Sequence, residues 1–266
     1  MRILTAKDLN LMSRRYKSVH VLLSDKKSRL LNIVIKSLIN MLFPRLCGGC
    51  GERLAIGEEA VCTSCQMQLP LEKNHDWELN KRKMIWSSHQ CLVRMGALTK
   101  YERDNIASNI VRSLKFHRRY ELGAWMGRTA VLKLRDTGLF DGIDCLIPIP
   151  LTRSRQHARG FNQAEAIAKG MAEELNIPIR TDVLQRTVNR ESQTHFAVPQ
   201  RLENAQRVFR LVNAEGLSGK HVMIVDDVMT TGTTMLGAIE ELEAVSDIHI
   251  STFAWAWAHV PPVAHT

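Results

Sequence analysis

The chain has 266 residues, 45% apolar and 24% charged, the ordinary balance of a soluble globular protein with a real core. Its net charge is +9, of which the first thirty residues hold +6; such an excess permits a nucleic-acid or phosphorylated partner without requiring one. The apolar run Leu30–Phe43 is interrupted by Asn32, Lys36, Ser37 and Asn40, and no small-residue cleavage site follows an apolar core, so neither a membrane span nor a secretory leader is expected and the expected location is the cytoplasm.

Residues 1–40 read as a basic arm, with Arg14-Arg15, Lys17, Lys26-Lys27 and Arg29, that is disordered or loosely helical and ends in an apolar docking helix over Leu30–Leu42. Residues 41–70 hold two C-x-x-C pairs, Cys47-Gly-Gly-Cys50 and Cys62-Thr-Ser-Cys65. Four thiolates at this spacing suit a tetrahedral Zn²⁺, and with no open position the ion would be structural, not catalytic. Redox cysteines or disulfides are the alternatives. His89 and Cys91 are substitute ligands if one pair is wrong, and Cys145, in an apolar stretch, reads as an inert core thiol. Residues 71–91, with Lys81-Arg82-Lys83 and two tryptophans, read as a linker.

From 92 to 258 strand and helix patterns alternate, which predicts a parallel α/β sheet. Leu92–Leu98 is a strand. Asp104–Phe116 is a helix with Ile106, Ile110, Val111 and Leu114 on one face. The basic cluster Lys115–Arg119 that ends it suits a helix C-terminus, so it is weak evidence for binding. Glu121–Leu134 is a second amphipathic helix, and Ile143–Pro150 a buried strand. Next come Arg153, Arg155, His157 and Arg159 in a loop before a helix, Ala164–Leu175. Guanidinium forks match phosphate oxygens, so this is a candidate anion site; an exposed basic loop is the plain alternative. Val183–Arg186 and Phe209–Val212 are short extended pieces around a polar segment, Thr187–Arg201, that reads as a lid. Ile248–Ala258 is a strand with Phe253, Trp255 and Trp257 at alternate positions, an aromatic face for the core. Residues 259–266 are a tail.

Val222–Thr234 is where the pattern turns to chemistry. Four apolar residues form a buried strand, Asp226 and Asp227 stand at its end, and Thr230, Thr231, Gly232, Thr233 and Thr234 lead into a helix. Loop N–H groups and a helix N-terminus favour a phosphate, small side chains let the backbone approach it, and carboxylates accept ribose hydroxyls.

This stretch resembles the ribose-5-phosphate loop of type I phosphoribosyltransferases. The cysteine module narrows the resemblance to the ComF family, the competence protein F group with its GntX-like members. Further matching segments are Met41-Leu-Phe-Pro-Arg-Leu-Cys47, Leu114-Lys115-Phe116, Pro148-Ile-Pro150 through Arg159-Gly160-Phe161-Asn162-Gln163, and Gln193-Thr194 with Arg201-Leu-Glu-Asn204 and Phe209. Together they span about residues 41–258. The resemblance implies a type I phosphoribosyltransferase-like domain over 92–258, preceded by a small four-cysteine module. It implies a site for phosphoribosyl pyrophosphate with Mg²⁺, in which Asp226 and Asp227 hold the ribose hydroxyls, Thr230–Thr234 wrap the 5-phosphate, and Arg153, Arg155 and Arg159 lie near the pyrophosphate. The aspartate that hypoxanthine-using relatives place two residues before the loop glycine is Thr230 here, so the acceptor is unmarked. Two roles follow from the resemblance. One is DNA uptake or use of DNA as a nutrient, with single-stranded DNA and a competence helicase or DNA-processing protein as partners. The other is phosphoribosyl transfer to an unidentified acceptor.

Overall fold

A computed structural model describes residues 44–72, 89–116, 119–187 and 208–258. The basic arm and docking helix, most of the linker, His117 and Arg118, lid residues 188–201 and the tail lie outside the described residues. The described residues from Leu46 onward belong to one compact unit.

A short helix, α1 (Thr63–Met67), lies within the cysteine segment. Strand β1 (Leu92–Tyr101) then leads to α2 (Ile106–Phe116) and α3 (Tyr120–Leu134), and β2 (Cys145–Pro148) to α4 (Arg153–Arg159) and α5 (Gln163–Leu175). After β3 (Leu184–Arg186) and β4 (Phe209–Leu211) come β5 (His221–Met229), α6 (Thr233–Leu242) and β6 (His249–Ala258). Four strands form one sheet in the order β1-β6-β5-β2, with every pair parallel. The expected alternation is therefore the observed one. β3 and β4 pair separately and antiparallel.

Val222–Val225 are fully buried because helices cover both faces, which is why β5 reads as an unbroken apolar run. On one face Met223, Val225, Phe253 and Trp255 pack with Ile110, Leu114, Met126 and Ile167 of α2, α3 and α5. On the other, Val222, Ile224 and Ala254 pack with Met235, Ile239 and Leu242 of α6. Trp257 corrects the expected aromatic face. It joins the second cluster, away from Phe253 and Trp255, and its indole N–H donates to the buried Glu72 carboxylate at 3.1 Å. Glu72 thus satisfies this indole, whereas the buried Trp255 N–H has no acceptor among the described residues.

Helices α3 and α5 cross at glycine contacts. A Cβ on Gly127 would lie 2.0 Å from the Ile167 carbonyl oxygen, and one on Gly170 1.9 Å from that of Ala124. Both obstacles are backbone, so no rotamer change relieves them. Gly127→Val should cost at least about 3 kcal/mol in urea unfolding; a loss below about 1 kcal/mol would contradict this account of the crossing.

The connections define the ligand end. From β2 the chain passes through α5 outward to Ile179, which bridges Leu146 in parallel at the sheet's outer edge. From β5 it passes through α6 in the opposite direction, to β6. Neighbouring strands β2 and β5 thus diverge, and open α/β sheets bind ligands beyond the carboxyl ends of strands at such a point.

Candidate phosphate and metal sites

Asp226 and Asp227 lie near the C-terminal end of β5, and their side chains sit low among protein atoms because the flanking strand is buried. Asp227 is 9% exposed and Asp226 half-buried. The Asp227 N–H donates to Asp226 Oδ1 at 2.8 Å. Burial first, and then the charge of Asp227, push the Asp226 carboxyl up to about 8. Lys115, in the last turn of α2, answers this charge: its Nζ is 2.8 Å from Asp227 Oδ2. The family resemblance already marks Leu114-Lys115-Phe116, but charge alone does not separate Lys115 from the basic cluster, since a lysine at a helix C-terminus has a dipole to complement.

Thr230–Gly232 turn out of β5 into α6. Gly232 is buried at φ 85°, the left-handed region that glycine enters without strain, and caps the helix. Thr230, Thr231 and Thr233 are exposed, Thr234 is half-buried, and the Thr231 and Thr233 hydroxyls are 2.8 Å apart. The first turn of α6 directs its N–H groups to the same side.

The arginine segment is a correction. Arg153, Arg155 and Arg159 are not in a loop but on α4. The Thr152 hydroxyl caps this seven-residue helix by accepting from Arg155 N, and Gly160 ends it at φ 85°. So short a helix has no buried face, which is why no apolar period announced it. The following residues fix its place. Phe161 packs edge-on against Tyr120 at 5.5 Å. Asn162 caps α5 and donates to the Ile149 carbonyl at the end of β2. Gln163 accepts from Arg159 at 2.8 Å. Arg153 and Arg155 are exposed and, among the described residues, have no carboxylate partner.

Arg186, at the end of β3, also went unremarked in the sequence, where nothing distinguishes it from any arginine beside a polar segment. Its guanidinium lies over the Phe209 ring, 5.2 Å from the centroid. Burial, and then the like charge of Arg155, hold it below its usual range, while Asp226 pulls it back up. Arg155, Arg186 and Asp226 are therefore close enough to feel one another, so the cations after β2 and the carboxylates of β5 share one electrostatic neighbourhood.

The four cysteines form the second centre. The sulfurs of Cys47, Cys50, Cys62 and Cys65 all lie within 4.8 Å of one another, and all six cysteines of the chain are free thiols. Cys50 and Cys62 sulfurs are 3.8 Å apart, the separation of about 3.8 Å that tetrahedral Zn–S bonds near 2.3 Å require. Gly49 N–H and Cys62 N–H donate to Cys47 Sγ at 3.3 and 3.2 Å. Burial alone would raise the Cys47 thiol, but backbone donors from Cys62, Cys50 and Gly49 outweigh it and bring it to about 7. This donor set fits a metal such as zinc. His89 and Cys91 lie elsewhere, both against Glu243.

With this geometry in place, known proteins offer a comparison. The phosphoribosyl transferase domain family matches residues 161–254. DNA utilization protein YhgH of Shigella flexneri is 28% identical over 206 residues, 72% of this chain and 88% of that protein. Competence protein F of Haemophilus influenzae is 26% identical over 194 residues, 71% and 80% of the two chains. Over about seven tenths of its length the chain is thus similar to proteins of the ComF group. In this chain the four-cysteine cluster lies N-terminal to the region that matches the phosphoribosyl transferase domain. A purine phosphoribosyltransferase structure from Pyrococcus horikoshii Ot3 aligns over 53% of this chain and 94% of its own at 18% identity and TM-score 0.31, too slight a likeness to carry an argument.

Proposed function

We propose that this protein binds phosphoribosyl pyrophosphate with Mg²⁺ at the β2–β5 switch point and acts in DNA uptake or the use of DNA as a nutrient, in the cytoplasm. The observation that carries the ligand reading is the acidic pair near the C-terminal end of β5, with Gly232, five residues after Asp227, capping the start of α6. Asp226 and Asp227 would accept the ribose hydroxyls. Thr230, Thr231, Gly232, Thr233 and Thr234 would wrap the 5-phosphate with N–H and hydroxyl donors. Arg153, Arg155 and Arg159 would face the pyrophosphate. Mg²⁺ would arrive on the ligand's oxygens, neutralising charge there with few protein ligands of its own. The cysteines would hold a structural Zn²⁺. The DNA role is supported by the names of the relatives and by the basic arm; single-stranded DNA and a helicase or DNA-processing protein are the partners it implies. No helix among the described residues is long and apolar enough to cross a membrane.

Thermal unfolding tests the ligand reading. With Mg²⁺, phosphoribosyl pyrophosphate at roughly a hundred times its Kd should stabilise the protein by about 2.7 kcal/mol, and omission of Mg²⁺ should abolish most of that gain. No shift at millimolar ligand would sink the assignment. Fluorescence anisotropy tests the DNA role: affinity for a single strand should fall at least about tenfold between 50 and 200 mM salt, and a flat response would argue against it.

A further inference from the structure

The cysteine module is packed directly onto the helix that carries Lys115. Cys47, Val61, Cys65 and Leu69 are buried in the same cluster as Ala107, Ile110 and Leu114 of α2. The carbonyl of Gly48, inside the first C-x-x-C pair, accepts from the Ser113 hydroxyl at 2.8 Å. The fit leaves little slack: a Cβ on Gly49 would lie 2.9 Å from Cys65 Sγ and 3.3 Å from Ile106. Two residues after Ser113, Lys115 reaches Asp227 at 2.8 Å. One helix of eleven residues therefore joins the first cysteine knuckle to the acidic pair.

We infer that the four-cysteine module positions Lys115, and through Lys115 the Asp227 carboxylate, so that metal held by the cysteines sets the affinity of the strand-end site for its sugar-phosphate ligand. The inference rests on the phosphoribosyl pyrophosphate reading. Its physical basis is that metal binding is coupled to folding of the segment that supplies the ligands. Without metal, the knuckle that fixes Gly48 is held by packing and by backbone hydrogen bonds such as Gly48 N–H to the Ala60 carbonyl at 2.9 Å, with no metal bond joining its four sulfurs. The hydrogen bond from Ser113 and the packing of Cys47 and Cys65 with Ile110 and Leu114 then weaken, and the last turn of α2 loses its anchor. Asp227 is left beside Asp226 with no fixed cation, and the pair is a poorer acceptor of two ribose hydroxyls. Lys115 is thus a positioning residue, distinct from the carboxylates that meet the ligand.

The test compares the full chain loaded with Zn²⁺ and the same chain stripped of it, both returned to Mg²⁺ buffer. In calorimetric titration with phosphoribosyl pyrophosphate, stripping should weaken binding at least about tenfold, and added Zn²⁺ should restore it. Ser113→Ala, which keeps every thiolate and every ligand-facing residue, should weaken binding about fivefold with zinc content unchanged. Lys115→Met should make affinity insensitive to stripping. Equal affinity of loaded and stripped protein, or an unchanged Ser113→Ala variant, would overturn the inference. Hydrogen exchange separates it from the ligand reading, because it needs no ligand. Should neither form bind the sugar phosphate, faster exchange at residues 113–116 and 226–229 on stripping upholds the coupling while the ligand assignment falls. A change confined to residues 46–69 overturns the coupling.

Discussion

Asp226→Asn should make the ligand-free protein more stable at about pH 8 while weakening phosphoribosyl pyrophosphate binding roughly a hundredfold. Burial and the neighbouring Asp227 charge raise the Asp226 carboxyl to about 8 in the folded chain, whereas an unfolded aspartate titrates near about 3.9. The folded protein therefore holds this proton more tightly than the unfolded one. Its contribution to stability is complete below about pH 4 and is lost as pH rises through the folded value near about 8. Asparagine has no proton to lose, so the variant should lack that decline. Urea unfolding at about pH 5 and about pH 8 reads the difference directly; equal pH dependence in both proteins would contradict the assigned environment. The binding loss has a separate origin. Each hydrogen bond from a ribose hydroxyl to a charged acceptor is worth about 1.5–3 kcal/mol, and the amide replaces one acceptor oxygen with a donor. A carboxyl pair whose full ionisation destabilises the empty fold, with one lysine beside it, is the arrangement expected where a ligand completes the charge balance.

Stripping the cysteines of metal, or replacing Cys47 and Cys62 with serine, is the second large effect. Metal held by the folded module and not by the unfolded chain adds about 4 kcal/mol even when free metal exceeds its Kd only roughly a thousandfold. The effect should not stay local, because Cys47 and Cys65 share their cluster with Leu98, Ile110, Leu122 and Met126. Metal analysis should give about one Zn²⁺ per chain, with thermal unfolding shifted strongly downward after chelation and restored by Zn²⁺. Unfolding unchanged by chelation would show that packing alone holds the segment.

Much of the fold was legible because its signals are local. The buried run Val222–Val225 and the periodic faces of α2, α3 and α5 declare their elements, and two C-x-x-C pairs declare a cysteine cluster. What escaped depends on contacts across the chain. Arg153–Arg159 is helical because Thr152 caps it and Gly160 ends it, not because it has an apolar face. Trp257 joins a different cluster from Phe253 and Trp255, and its indole finds a buried acceptor in Glu72, 185 residues away in sequence. Lys115 and Arg186 belong to the strand-end site only through tertiary approach: one reaches Asp227 from α2, the other lies on the Phe209 ring beside Arg155. By charge alone both look like ordinary surface cations, and only the resemblance at Leu114-Lys115-Phe116 marks one of them.

The most direct measurement is calorimetric titration of phosphoribosyl pyrophosphate into the zinc-loaded protein and into its Asp226→Asn, Asp227→Asn double variant, each with and without Mg²⁺. The structure predicts about one site per chain, dependent on Mg²⁺, with affinity reduced at least about a hundredfold in the double variant. Binding that is unaltered by the double substitution, or no binding to the wild-type protein with Mg²⁺ present, would contradict a phosphoribosyl site at the end of β5.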